Sequence, residues 1–262
     1  MKYEVKNNIL LDVQIDSFEY QEGVPILKNI HQQVRDIVRP DVNQGQIVAI
    51  LGPSGIGKST LFEVIAGLRS PTKGTVQAYD ATQKTLVPVR TGLVGMVYQS
   101  YELFPFLTVR GQLEIGASKG GLKGAAAKEK VDFYLQHFRL REHGRKYPNQ
   151  LSGGQQQRVA ICRALMNDPE ILLADEPTGN LDSTSASQIM NLLRNLNRDF
   201  NKTVVIITHD NEIAAQCDRV IRIRDGRLAS PEPLCKDHEP SVVKSKTSLQ
   251  RSPFNLGAVA RA

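Results

Sequence analysis

No stretch of this 262-residue sequence is apolar for long enough to cross a bilayer. The longest apolar runs, Ile47–Leu51 and Val204–Thr208, have the length of strands, whereas a spanning helix needs about 20 residues. Cysteine is also scarce. Cys162, Cys217 and Cys235 stand far apart with no C-x-x-C pair, which argues against a zinc site or a disulfide framework and fits a reducing compartment. Glu4 and Asp12 interrupt the short apolar patch near the start, so no signal peptide is expected. There is no internal repeat and no dominant charge. Lys and Arg number 33 against 27 Asp and Glu, and part of the excess (Lys244, Lys246, Arg251, Arg261) is scattered near the C-terminus, too diffuse to predict a nucleic-acid partner. These absences predict a cytosolic globular protein with one sizeable domain, whose dealings with a membrane would pass through a partner.

What is present alternates strands with helices. Leu11, Val13 and Ile15 interleave with polar residues as in a half-buried strand. The polar segment His31–Gln44, with Pro40, reads as a second strand with a long loop. Gln46–Leu51 and Ile171–Ala174 are continuous apolar runs, as in parallel strands buried on both faces. Further strands are predicted at Thr75–Tyr79, Leu93–Tyr98, Val204–Thr208 and Val220–Ile223, the last of them, and helices at Lys58–Leu68 and about Thr184–Phe200. Tyr101–Asn149 has helical texture broken by Gly116, Gly120, Gly121 and Gly124, and reads as an inserted helical subdomain. Beyond Leu228 the chain loses periodicity, and the segment 229–262 is expected to be disordered or partner-dependent. The pattern predicts an α/β core.

Gly52-Pro53-Ser54-Gly55-Ile56-Gly57-Lys58-Ser59 fits G-x-x-x-x-G-K-[ST] between a strand and a helix, the context that separates a phosphate loop from a chance glycine-rich turn. Glycines let backbone amides wrap a phosphate chain; Lys58 offers a cation to the β- and γ-phosphates, and Ser59 a hydroxyl to Mg²⁺. With Thr60, this loop is the predicted nucleotide site. Asp175 and Glu176 end an apolar strand where an open sheet puts its ligands, Asp175 for the metal and Glu176 for the attacking water. A second glycine turn, Leu151-Ser152-Gly153-Gly154-Gln155, precedes a helix-compatible run. Alone it would be a helix cap needing no ligand; below a phosphate loop it makes a second anion-binding helix start.

The phosphate loop, Leu151–Gln155, the run Asp175–Asp182 and His209 after a strand occur in that order. Together they resemble the nucleotide-binding subunit of ATP-binding cassette (ABC) transporters, from about Leu10 to Leu228. The resemblance implies a P-loop NTPase core with a parallel sheet, an N-terminal antiparallel β subdomain and a helical subdomain at about 101–150. It implies ATP and Mg²⁺ as ligands, with Tyr20 stacking on adenine (against a turn tyrosine packing its own ring) and Gln99 sensing metal and water. His209 would contact the γ-phosphate. Ser152, Gly153, Gly154, Gln155 and Asp182 would meet the nucleotide of a second ATPase subunit, in a homodimer or with a homologue. Phe104 and Phe106 would face an integral membrane permease subunit, or be subdomain core, and the protein would lie on the inner face of the cell membrane. Ile56, bulky for its place, can turn its side chain away from the phosphates, and the span 30–45 is longer than the family's hairpin.

Asn201-Lys202-Thr203-Val204 lacks the Asp of a GTPase base-reading motif. A soluble ABC ATPase acting on nucleic acid or ribosomes would carry two cassettes or long coiled coils, neither of which is present. A sensor without turnover would need a defective acid at Glu176. Asp175–Gly226 resembles the lipoprotein-release and macrolide-export group, and Tyr98–Val109 the polar amino-acid importers; the longer match favours the former.

Overall fold

The structure, a computed structural model, describes residues 4–38 and 45–229. The expectation for 229–262 therefore falls, but for Ala229, outside the described residues, as do Pro40 and Cys235.

The chain opens with a long antiparallel hairpin, β1 (Glu4–Gln21) and β2 (Val24–Val38). After β3 (Ile47–Leu51) and α1 (Lys58–Ile65) come β4 (Lys73–Asp80), β5 (Thr85–Pro88) and β6 (Gly95–Val97). The helices α2 (Val109–Lys119) and α3 (Gly124–His137) follow, then α4 (Gly153–Ala164) and β7 (Ile171–Asp175). The last elements are α5 (Ser183–Phe200), β8 (Thr203–Thr208), α6 (Asn211–Ala215), β9 (Arg219–Arg224) and β10 (Arg227–Leu228). Two sheets form, a four-stranded one in the order β2-β1-β4-β5 and a six-stranded one in the order β10-β9-β3-β8-β7-β6. The first is antiparallel; the second is parallel except for β10.

Side chains alternate across a strand, so each central strand feeds two cores. Ile47, Ala49 and Leu51 of β3 join Leu172, Ala174, Val204 and Ile206 beneath α2 to α6. Val48 and Ile50 join Leu173, Val205 and Ile207 against α1 and the antiparallel sheet. Burial on both faces explains why these strands read as unbroken apolar runs. It also confines polar chemistry to their ends, and the parallel strands β3, β6, β7 and β8 all release their carboxyl ends on one edge.

Several expectations change. The strand expected within His31–Gln44 takes up most of that segment: β2 continues paired to Val38, opposite the start of β1, and 39–44 lies outside the described residues. Its polar residues serve the pairing. His31 bonds Asp16 across the strands at 2.9 Å, the Gln33 carbonyl accepts from Arg219 at 2.9 Å, and Asp36, 2 % exposed, accepts from the Gly45 amide at 2.8 Å. Val220–Ile223 is not the last strand, because the turn at Asp225-Gly226 returns the chain as β10. Gly116 does not break its helix. It lies inside α2, where a Cβ would stand 2.9 Å from Met166 Cγ and 3.1 Å from the Arg163 carbonyl, so the missing side chain is what lets α2 lie against the end of α4. The helix at Lys58 also stops at Ile65, short of Leu68, and β5 is a strand with no predicted counterpart.

Gly116→Val should therefore destabilise the fold by about 1–3 kcal/mol through overpacking, despite being in a helix interior where Gly is itself poor. Urea unfolding measures it; unchanged stability would mean that the contact yields freely.

Candidate functional site

The carboxyl edge of the parallel sheet borders a cleft of about 380 Å³ lined by Ile26, Ser54, Gly55, Gly57, Lys58, Ser59, Thr60, Gln99, Asp175, Glu176 and His209. Four separate strand ends meet there: β3 through its glycine loop, β6 through Gln99, β7 through Asp175 and β8 through His209.

The glycine loop runs straight into α1. Gly57, at φ 95°, is the N-cap; no side chain caps the helix and no acid sits in its first turn, so its leading amides face the cleft without an internal acceptor. A Cβ on Gly57 would meet Ile26 Cγ2 at 2.9 Å, a second reason for glycine. Lys58 is buried, and its ammonium donates to the carbonyls of Gly52 and Pro53, both at 2.8 Å, which holds the charge over the loop. Ile56 turns inward and packs on the core side of the sheet, as its bulk requires. Such a cradle of amides plus one cation suits a polyphosphate.

Tyr20 borders the cleft without lining it. Its hydroxyl lies 3.3 Å from Thr60 Oγ1, Phe18 meets its ring edge-on at 5.0 Å, and the Arg69 guanidinium sits 5.0 Å from the ring centre. The ring is half exposed, so it is not packed away.

Across the cleft stand the acids. Burial, and next the neighbouring Glu176, push the Asp175 carboxyl up to about 6, with Lys58 opposing. A desolvated carboxylate beside another acid favours a cation. Among the described residues no three His, Cys, Asp or Glu side chains cluster as a ready metal cage. The oxygen donors of Ser59, Asp175 and Gln99 share the cleft, however, a hard set that fits Mg²⁺ held by few protein ligands and a phosphate chain. Gln99 Nε2 donates to Asn180 Oδ1 at 3.4 Å, and Asn180 Nδ2 to the Gln99 carbonyl at 3.0 Å, ties that leave the Gln99 amide oxygen for the cleft.

Glu176 and His209 are not separate tools here. Glu176 adopts a left-handed backbone, φ 43°, and its carboxylate accepts three bonds: from Thr208 Oγ1 at 3.0 Å, the His209 amide at 3.0 Å and His209 Nδ1 at 2.6 Å. The register that sets Asp175 against Ile207 places them side by side. Thr208 escaped notice in the sequence because it reads as the last residue of a buried strand. Ile26 gave no signal either, and Asn180 had no role assigned within the run Asp175–Asp182.

Ser152, Gly153, Gly154 and Gln155 do not line this cleft. Ser152 is the N-cap of α4; its hydroxyl accepts from the Gln155 amide at 3.4 Å, and the Gln155 side-chain oxygen accepts from the Ser152 amide at 3.0 Å. The capped turn is exposed at Ser152, whose hydroxyl proton remains to be donated. Asp182 likewise caps α5, accepting from the Ser185 amide at 2.9 Å, the bond that holds its carboxyl below the usual range. Phe104 and Phe106 are exposed and touch each other, with Arg163 over the Phe104 ring.

Comparison with known proteins gives one consistent result. Residues 36–179 match the ABC transporter family. The chain is 41 % identical over 213 residues to the ABC transporter ATP-binding protein YtrE of Bacillus subtilis (strain 168), covering 79 % of this chain and 89 % of that protein. It is 43 % identical over 201 residues to the macrolide export ATP-binding/permease protein MacB of Rhodopseudomonas palustris (strain HaA2), covering 73 % of this chain but only 31 % of that longer protein. The fold superimposes with TM-score 0.70 and 34 % identity on the dimeric post-hydrolysis cassette MJ0796 of Methanocaldococcus jannaschii bound to ADP and Pi, covering 87 % of this chain and all of that one.

The raised Asp175 carboxyl has a consequence for stability. The folded protein holds this proton more tightly than the unfolded chain, so nucleotide-free stability falls as pH rises from the ordinary carboxylate range to about 6, and stays lower above it. At neutral pH without Mg²⁺, Asp175→Asn should therefore stabilise the fold by on the order of 1 kcal/mol after solvent screening, a few degrees in Tm, while losing Mg²⁺-dependent turnover. A calorimetric scan showing no gain would mean that the charge is not strained.

Proposed function

This chain belongs to the ABC transporter family, as an ATP-binding and ATP-hydrolysing subunit, and on that premise we propose that it is half of a closing pair that drives an export-type permease. The observation that carries the reading is that the cleft lacks the second anion-seeking turn. Loop, cation and acids all line the cleft, while that turn, Ser152–Gln155, contributes nothing to it on the same chain. Two copies placed head to tail would give each cleft the turn it lacks, and the dimeric state of the similar cassette MJ0796 supports a pair.

On this reading the ATPase domain runs to residue 228, with 101–150 as its helical arm. Amides of Gly52–Thr60 and the Lys58 ammonium bind the phosphates, and Tyr20 stacks on the base. Ser59, Asp175 and Gln99 would hold Mg²⁺, which when bound neutralises charge on the phosphates. Glu176 orients and deprotonates the attacking water once it leaves the donors of Thr208 and His209, and His209 is then freed to donate to the γ-phosphoryl oxygens. Ser152 and Gln155 of the opposite copy add donors where charge develops, and Asp182 lies beside them. Catalysis is thus positioning and charge stabilisation more than covalent chemistry.

Among the described residues no helix is long and apolar enough to cross a membrane. The exposed pair Phe104 and Phe106 supplies an apolar docking point for a separate integral membrane subunit, at the inner face of the cell membrane. The name of the similar macrolide export protein MacB favours export over import; a polar amino-acid importer is the other reading, favoured by Tyr98–Val109. Identifying the membrane protein that co-purifies with the chain tests both, and recovery in a complex indifferent to membranes would contradict either.

Two substitutions test the chemistry. Glu176→Gln should bind ATP normally, turn over at least about a hundredfold more slowly and accumulate as a closed dimer in gel filtration. Near-normal turnover would remove Glu176 from the role of base. Ser152→Arg should leave nucleotide binding intact while blocking dimer closure and hydrolysis, and undiminished ATPase activity would overturn the trans role of the turn.

A further inference from the structure

The side chain of Gln155 is held at both ends, and the holders decide more than its position. Its oxygen accepts from the Ser152 backbone amide at 3.0 Å, and a backbone N–H can only donate. That contact fixes which end of the amide is which, so the NH₂ end lies 3.1 Å from Nε2 of His143. An NH₂ group only donates, and His143 Nε2 must therefore carry a lone pair. The ring proton sits on Nδ1, which is buried and meets no acceptor among the described residues. A histidine that leaves its own buried donor unsatisfied in order to accept from Gln155 is held there for that bond.

His143 ends a 3-10 turn, Arg141–His143, that is joined to the first turn of α2. The amide of Val109 donates to the Lys146 carbonyl and that of Arg110 to the Gly144 carbonyl, both at 2.9 Å. The side-chain oxygen of Gln112, one turn along α2, accepts from the Phe104 amide at 3.2 Å. A chain of short contacts thus runs from the exposed aromatic pair through α2 and residues 141–146 to His143, Gln155 and the Ser152 cap.

We infer that His143 is a positioning residue for the opposed nucleotide: by accepting from Gln155 it sets the Ser152–Gln155 turn in the form that meets the other subunit's phosphates. The inference rests on the trans reading of that turn. It concerns an acceptor at one ring nitrogen, so side chains that accept there should serve and side chains that donate should not.

The test compares His143→Leu, His143→Lys, His143→Gln and Gln155→Ala in the full chain, by ATP turnover, by binding of a fluorescent ATP analogue and by thermal midpoint. The leucine and lysine variants should lose turnover by about fivefold or more, the lysine variant at least as much as the leucine, with analogue binding by the single subunit unchanged. His143→Gln, whose side-chain oxygen can take the place of Nε2, should restore turnover to within about twofold. If Gln155→Ala is impaired but His143→Leu is not, the positioning role falls and the trans reading stands. If Gln155→Ala is itself unimpaired, the trans reading falls and takes the inference with it. Failure of glutamine to rescue, or weakened analogue binding, would mark His143 as merely structural and overturn the inference. Should the leucine variant not fold, lysine against glutamine makes the same comparison.

Discussion

The rest of the molecule depends on burying a parallel sheet on both faces. A strand such as β3 or β8, covered on each side by core, cannot carry a polar side chain along its length without leaving it unpaired. Polarity collects at the strand ends, and the right-handed crossovers of an α/β fold bring the carboxyl ends to one edge. The cleft is thus a consequence of the core. Its four contributing strands are apolar up to the last residue or two, and reactive immediately after.

Within the cleft, the pairing of Glu176 with His209 changes how the nucleotide-free protein should be pictured. A carboxylate that accepts from Thr208 and twice from His209 is held away from the work of a base. On the proposed mechanism one of those donors, the His209 ring, is also the group that meets the phosphate, so the two tasks would compete for the same nitrogen. The left-handed backbone at Glu176 makes the hold possible, because it turns the side chain back toward β8. The capped turn at Ser152 shows the opposite economy of motion, with the Ser152 and Gln155 amides matched before any second copy arrives.

Much of this was legible in the sequence, and for a reason. Phosphate recognition uses backbone amides, so it writes itself as glycines at fixed spacing, and two-sided burial writes itself as apolar runs; Gly52–Ser59, Ile47–Leu51 and Ile171–Ala174 could therefore be placed at once. The long hairpin could not. The His31 ring pairs with Asp16, and the backbone carbonyls of Gln33 and Arg35 accept from Arg219 and Gln46; contacts of that kind leave no periodic trace. The contact of Glu176 with Thr208 depends on the register between two strands far apart in sequence. Gly116 misled because glycine in a helix signals either a break or a close neighbour, and only Met166 decides which.

That close neighbour has a mechanical meaning. Gly116 seats α2 against the end of α4, Arg163 of α4 grips the carbonyls of Glu102 and Tyr101 at 2.7 and 3.4 Å, and Gln112 of α2 holds Phe104 from the other side. Two helices and the loop that carries the exposed aromatics are thereby bolted into a single stiff strut. A strut transmits displacement without absorbing it. If Phe104 receives the membrane subunit and Ser152 a phosphate, as proposed, this strut is what joins the two events.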